Sequence, residues 1–341
     1  VLGLSVALVW PSLGCRAQAQ AQASVPSAET RPIVDKLRSD ADALSSLVTT
    51  ELARDFLAAT RRLLEPKTRT VYRDKAKNIA VSSRAFDRLS EEKKISLKPR
   101  ECTPEFYYET AYGSPLVYAR LLDLAASHLA LQKTPKVLDF GYGTIGHLQL
   151  LAHCGFEAHG VDVEPLLAAL YSEPGDVGAI GSGFVSIHTG HWPAEEALRE
   201  AVGRGFDLIT SKNTLKSGYL HPSPLPGQSV DPKRLLQLGV GDEEFLERVH
   251  DALRPGGVFL LYNIAPPQNP SGKEYIPHAD GKTPFPRAMF EAKGFEVIAF
   301  DGDDQPWVLE SFERLGYSEG RGRDEMTRSF FAWYTIAQKK P

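Results

Sequence analysis

The stretch Lys136–Pro165, KVLDFGYGTIGHLQLLAHCGFEAHGVDVEP, constrains this chain more than any other. The apolar pair Val137-Leu138 leads into Asp139, and Gly141, Gly143 and Gly146 then turn the chain into a helix. After Gly155 a second strand, His159 to Val163, carries Asp162 at its carboxyl end. Strand, glycine turn, helix and strand in that order predict the opening of an open α/β sheet. Glycines let a ligand approach the backbone without a Cβ in the way, and an acid ending the second strand accepts hydrogen bonds from ribose hydroxyls. The unit is therefore expected to hold an adenosine-containing cofactor.

Gly141-Tyr142-Gly143-Thr144-Ile145-Gly146 fits GxGxxG, and Asp162 lies 19 residues beyond Gly143, which formally satisfies a dinucleotide fingerprint. Two features weigh against NAD. The unit begins at residue 136, not near the start of a domain, and Asp139 stands where dinucleotide sites carry a small or apolar residue. An apolar strand followed by Asp-x-Gly-x-Gly resembles instead the class I S-adenosylmethionine-dependent methyltransferases. That resemblance implies a Rossmann-like, seven-stranded α/β sheet with helices on both faces, S-adenosylmethionine as cofactor and a small-molecule acceptor. It implies cofactor contacts at Asp139, Gly141, Tyr142 and Gly143, and at Asp162 and Val163. A carboxylate at Asp139 suits a ligand whose methionine end carries an ammonium and a sulfonium. NAD would bring an anionic pyrophosphate to the same helix start.

The alternation continues beyond this unit. A helix is expected at Pro115–Leu131 before it, and helices at Pro165–Tyr171, Ala194–Val202, Asp242–Leu253 and Pro286–Lys293 after it. Further strands are expected at Phe184–His188, Phe206–Ser211, Val258–Asn263, Phe295–Phe300 and Phe330–Gln338. Leu253-Arg254-Pro255-Gly256-Gly257 before the fifth strand is a further point of resemblance to the methyltransferases, which covers roughly residues 105–341.

Ligands in open α/β sheets bind beyond the carboxyl ends of the strands. After strand three the family often has Gly-Asp, but this chain has Gly190-His191, leaving His191 and Trp192 as candidates to contact or stack on adenine. After strand four, Lys212 and Asn213 replace the Asn-Pro-Pro-type motif of amino-methylating relatives, which suggests a different acceptor, one bearing a carboxylate or other anion. Asn213 is also a candidate cofactor contact. Two Pro- and Gly-rich loops, Thr214–Gly241 and Ala265–Pro284, project from the same edge and are expected to select substrate. Within them His221 and Tyr219 are candidate bases, with Lys212 beside them as a third catalytic candidate. Upstream, Glu101–Gly113 is unusually aromatic, and Tyr108 and Tyr112 are candidates to surround the sulfonium by cation–π attraction. An aromatic hinge that only packs is the alternative. No metal-binding spacing is present in the sequence.

Charge is uneven. Residues 31–100 carry 17 Lys/Arg against 10 Asp/Glu, whereas 101–341 carry 21 against 32. The overall charge of −4 argues against nonspecific nucleic-acid binding, and the asymmetry predicts most simply that the basic segment docks on an acidic domain, with a phosphate- or lipid-facing surface as the alternative. Helical spacing of apolar residues from Ile33 to about Leu64, with more helix at Ala76–Glu92, makes residues 32–104 a helical accessory segment. Residues 24–31 read as a linker. Val1 to Trp10 is apolar, too short to span a bilayer, and precedes three A-x-A patterns, so residues 1–23 are expected to be an export signal. Export sits awkwardly with a cytosolic cofactor. The rival readings are a noncatalytic ligand-binding protein on a methyltransferase fold and an NAD(P)-dependent oxidoreductase.

Overall fold

A computed structural model describes residues 31–110, 113–318 and 320–340. The expected export signal and Tyr112 lie outside them.

The apolar residues at helical spacing become two helices, Ile33–Leu44 and Glu51–Ala58, whose buried faces carry Leu37, Ala41, Leu44, Phe56 and Leu57. Thr50 caps the second helix by accepting from the Ala53 N–H at 3.3 Å. Asp123, on the helix Tyr118–Ala125, accepts from the backbone N–H groups of Thr49 at 2.8 Å and Thr50 at 2.7 Å. The joint between the two helices is thereby lashed to the next part of the chain.

The rest of the accessory segment departs from the expected helix. It forms an antiparallel sheet of β1 (Arg69–Asp74), β2 (Ile79–Ser82) and β3 (Lys98–Cys102), ordered β2-β1-β3. Turn chemistry overrides helix propensity here. Asp74 Oδ1 accepts from the N–H groups of Ala76 (3.0 Å) and Lys77 (3.1 Å), and Asn78 takes φ 52°. Between Ala76 and Glu92 only Ser83–Phe86 and the start of Glu91–Lys94 are helical. The charge asymmetry appears as docking. Lys36 meets Glu109 at 2.7 Å, Arg69 meets Asp176 at 2.5 Å and Arg73 meets Glu164 at 2.8 Å, each cation on the accessory segment and each acid beyond it.

The main sheet contains β4 (Lys136–Phe140), β5 (Glu157–Asp162), β6 (Gly178–Ile180), β7 (Gly183–Thr189), β8 (Phe206–Lys212), β9 (Leu253–Ala265), β10 (Phe295–Asp303) and β11 (Phe331–Lys339). Their order is β10-β11-β9-β8-β4-β5-β7-β6. The seven expected strands are joined by an eighth, the three-residue edge strand β6, antiparallel to β7. Strands β7, β5, β4, β8 and β9 run parallel, while β11 is antiparallel to both β9 and β10. All seven residues of β8 are buried, as a parallel strand covered on both faces requires.

Side-chain alternation divides the core in two. Val137, Leu208 and Leu260 join one apolar cluster with the accessory helices and the helix Gly146–His153. Leu138, Ile209 and Phe259 join the other, with the helices Asp242–Ala252 and Arg287–Ala292. Two helices without a sequence expectation, Gln305–Arg314 and Arg323–Ser329, lie between β10 and β11. Cys102 and Cys154 are both free thiols. Among the described residues no helix is long and apolar enough to cross a membrane.

Candidate functional site

The carboxyl ends of β4, β5, β7 and β8 border one cleft enclosing about 1030 Å³, its open mouth included. Beyond β4, Gly141 takes φ +77°, and a Cβ there would run into the Thr214 side chain, so only glycine fits. Tyr142 follows it into the wall. Asp162 and Val163 line the cleft beyond β5, and His191 and Trp192 beyond β7. Trp192 is buried beside Phe140, ring centroids 6.2 Å apart. Lys212, Asn213 and Thr214 line it beyond β8, and Tyr118 and Tyr219 also border it.

Asp162 accepts from the Gly143 N–H at 3.3 Å and the Glu164 N–H at 2.9 Å, which ties the glycine turn to the end of β5. Burial nevertheless pushes its carboxyl up to about 6. Gly143 is not part of the lining; its contribution is this N–H.

Asp139 corrects the expectation drawn from its motif position. It is fully buried, and both carboxylate oxygens are taken inside the protein. The Tyr118 hydroxyl donates to Oδ2 at 2.5 Å, His147 Nε2 meets the same oxygen at 2.9 Å, and the Thr210 hydroxyl donates to Oδ1 at 2.5 Å. An internal carboxylate with three donors does not border the cleft, so it is no direct partner for a ligand's ammonium.

Two of the three catalytic candidates change role. His221 follows the short helix Ser217–Leu220 and points away from the cleft, where its Nε2 pairs with Asp242 at 2.7 Å. Tyr219 does line the cleft, but its hydroxyl is buried without a hydrogen-bond partner, and burial pushes it far above the ordinary phenol range. A phenol held neutral is a donor, not a base. Lys212 keeps its place: it is 7% exposed, lines the cleft and is pushed by burial down to about 8, against the pull of Asp139. Asn213 borders the cleft in the left-handed region, φ +62°, with Oδ1 accepting from the Ile264 N–H at 2.8 Å. Tyr108 packs: its hydroxyl donates to the Leu64 carbonyl at 2.8 Å, and it is absent from the lining.

Sequence reasoning passed over Tyr118 and the strap Arg234–Leu238, which borders the cleft with Leu235, Leu236 and Leu238. The strap had a signal, an apolar run inside a Pro- and Gly-rich loop. Tyr118 had none, since it reaches Asp139 from a helix 21 residues upstream.

Five parallel strands, an antiparallel β11 between β9 and β10, and a cleft where the strand order reverses around β4 define a fold of the class I methyltransferase type. No protein-family model matches the chain, and no curated protein matches it. Among solved structures the chain is similar to a putative sarcosine dimethylglycine methyltransferase from Galdieria sulphuraria, 12% identical, covering 68% of this chain and 87% of that one, with a TM-score of 0.41. It is also similar to mycolic acid cyclopropane synthase CmaA1 complexed with SAH and CTAB (15% identical, 68% and 88% covered, TM-score 0.39). A third is geranyl diphosphate C-methyltransferase from Streptomyces coelicolor A3(2) (12% identical, 65% and 79% covered, TM-score 0.37). The strand order, and not these distant likenesses, defines the fold.

Proposed function

We propose that this protein binds S-adenosylmethionine and transfers its methyl group to a small-molecule acceptor. One observation carries the reading: the glycine turn after β4 and Asp162 at the end of β5 line a single cleft at the reversal of strand order. The residues present suit the cofactor. Gly141 leaves the backbone open to a ligand, Asp162 offers a carboxylate to ribose hydroxyls, and Trp192 with the leucines of the strap forms an apolar wall for adenine. When bound, the cofactor supplies a methyl carbon activated by its sulfonium.

The protein's own part is to position the acceptor and, where needed, take its proton. Lys212 is the group for that second task, because burial lowers it from 10.5 to about 8 and so makes its neutral amine accessible near physiological pH. Tyr219, whose hydroxyl has no partner among the described residues, offers a bound ligand a hydrogen-bond donor at the cleft wall.

The satisfied Asp139 favours a second reading, a noncatalytic ligand-binding protein on the same fold. Calorimetric titration of the full chain and an Asp162→Ala variant with S-adenosylmethionine, S-adenosylhomocysteine and NAD tests the first. Binding of both sulfur compounds, weakened about tenfold or more by the substitution, is expected from loss of a charged hydrogen-bond partner. Binding of NAD alone would pass the site to oxidoreductase chemistry. Tight cofactor binding with no methylated product across an acceptor screen would favour the noncatalytic reading.

A further inference from the structure

Tyr118 begins the helix Tyr118–Ala125, is 3% exposed, and has no part in the sequence motif that led to the cleft. Its ring is fixed at two points. The hydroxyl donates to Asp139 Oδ2 at 2.5 Å, and the His147 ring lies flat against it, centroids 3.7 Å and planes 6° apart. His147 is wholly buried and does not border the cleft, whereas Tyr118 and Lys212 both do. The ring therefore offers the cleft the face that His147 leaves uncovered. A cation already stands over this ring: Lys212 Nζ is 5.8 Å from its centroid.

The face of an aromatic ring is its electron-rich side, and a cation within about 6 Å of the centroid is attracted to it. The surroundings of Tyr118 strengthen that attraction. A phenol that donates to a buried carboxylate shifts electron density into its ring. The imidazole behind it adds no opposing charge, because burial holds His147 below its ordinary range and hence neutral. In a site shielded from water such charge–ring terms are worth more than on a surface.

We propose that Tyr118 is the cation-recognising floor of the cofactor site, receiving the positively charged sulfonium of S-adenosylmethionine and discriminating it from the neutral thioether left after methyl transfer. The inference rests on the cofactor reading above and adds to it a specificity-determining residue. It also gives Asp139 a task at one remove, holding Tyr118 and enriching its ring. Lys212 and the sulfonium would share one ring, so cofactor binding favours the neutral amine of Lys212, the form that accepts a proton.

The test compares dissociation constants of S-adenosylmethionine and S-adenosylhomocysteine for the full chain, with no acceptor present. Tyr118→Leu is expected to lower the preference for the charged cofactor by about 3- to 30-fold while S-adenosylhomocysteine binds as before. Tyr118→Phe keeps the ring and should restore most of that preference, and a purely structural role for the ring would shift both affinities together and leave their ratio unchanged. If the leucine variant does not fold, phenylalanines of falling ring electron density, from unsubstituted to multiply fluorinated, keep the shape at position 118. The preference must then decline along the series. An unchanged ratio in a folded Tyr118→Leu variant, or a flat fluorinated series, overturns the role of Tyr118 while leaving the cofactor reading intact. A wild-type protein that binds neither compound overturns both.

Discussion

Arg73 reaches from β1 across to the loop that follows β5, where its Nη2 donates to Glu164 Oε2 at 2.8 Å. The backbone N–H of Glu164 donates in turn to Asp162 Oδ1 at 2.9 Å, and Glu164 Oε1 caps the next helix through the Leu166 N–H. Arg73 thus links the accessory sheet to the loop that follows Asp162. Arg73→Ala would leave Glu164, 5% exposed, without its cation. The expected cost is about 2–3 kcal/mol in urea unfolding, as for a lost hydrogen bond to a charged group. Cofactor affinity should fall about threefold to tenfold as the loop loosens. Affinity unchanged in a destabilised variant would restrict the pair to stability alone.

Gly141 carries two demands at once, a positive φ and room for Thr214. Gly141→Ala is expected to destabilise by about 1–3 kcal/mol through backbone strain and to abolish measurable cofactor binding. Trimming Thr214 to alanine, which removes the two side-chain atoms nearest the added Cβ, should recover little, since it leaves the φ demand in place. Full recovery of binding in the double variant would assign the effect to the clash alone.

Lys212 and Lys216 make stability depend on pH in a defined direction. Burial lowers Lys212 from 10.5 to about 8 and, with repulsion from Lys212 second, Lys216 from 10.5 to about 7. Lys216 Nζ donates to the carbonyls of Ile264 at 2.6 Å and His278 at 3.1 Å, which joins the two loops over the cleft. Between those lowered values and 10.5 the unfolded chain binds protons that the folded chain has released. Stability therefore rises with pH from about 7 upward, by at most about 1.4 kcal/mol per pH unit for each lysine. Urea midpoints between pH 7 and 9.5 should climb for the wild type and climb less for Lys216→Met. Parallel curves would show that Lys216 keeps its proton in the fold.

For turnover, the acid limb of the rate profile should bend at or below about pH 8, because burial alone lowers Lys212 to about 8 and a bound sulfonium favours its neutral form further. Lys212→Met is expected to cost about a hundredfold or more, and Lys212→Arg should not rescue it, because a guanidinium stays charged. His221→Ala should change turnover by less than about twofold, since its partner Asp242 lies outside the cleft lining. A bend that persists in Lys212→Met would move the base elsewhere.

The glycine turn, the strand that ends in Asp162 and the succession of strands along the chain were legible because each is written locally, in turn residues and short apolar runs. The Asp139 site was not. Its three partners come from Tyr118, His147 and Thr210, which only the folded sheet brings together. Asp139 thus looked like a ligand contact from its motif position and proved to be an internal hub. Residues 76–92 misled for a related reason. β1 finds one of its two partners in β3, well beyond the turn, and a window along the chain does not see such pairing. His221 lay in the right loop, but the direction in which a loop presents a side chain is decided by where its neighbours pack.

Among the described residues β10 is an edge strand whose one neighbour in the sheet is β11. A ribosome that has released β10 has therefore made a strand with nowhere to dock until residues 331–339 emerge and fill the gap beside β9. β11 is made after β10 and yet is the strand that admits it to the sheet, so this half of the sheet closes against the direction of synthesis, and a chain stalled short of β11 would expose the flank of β9 and β10 together to the protein-folding machinery.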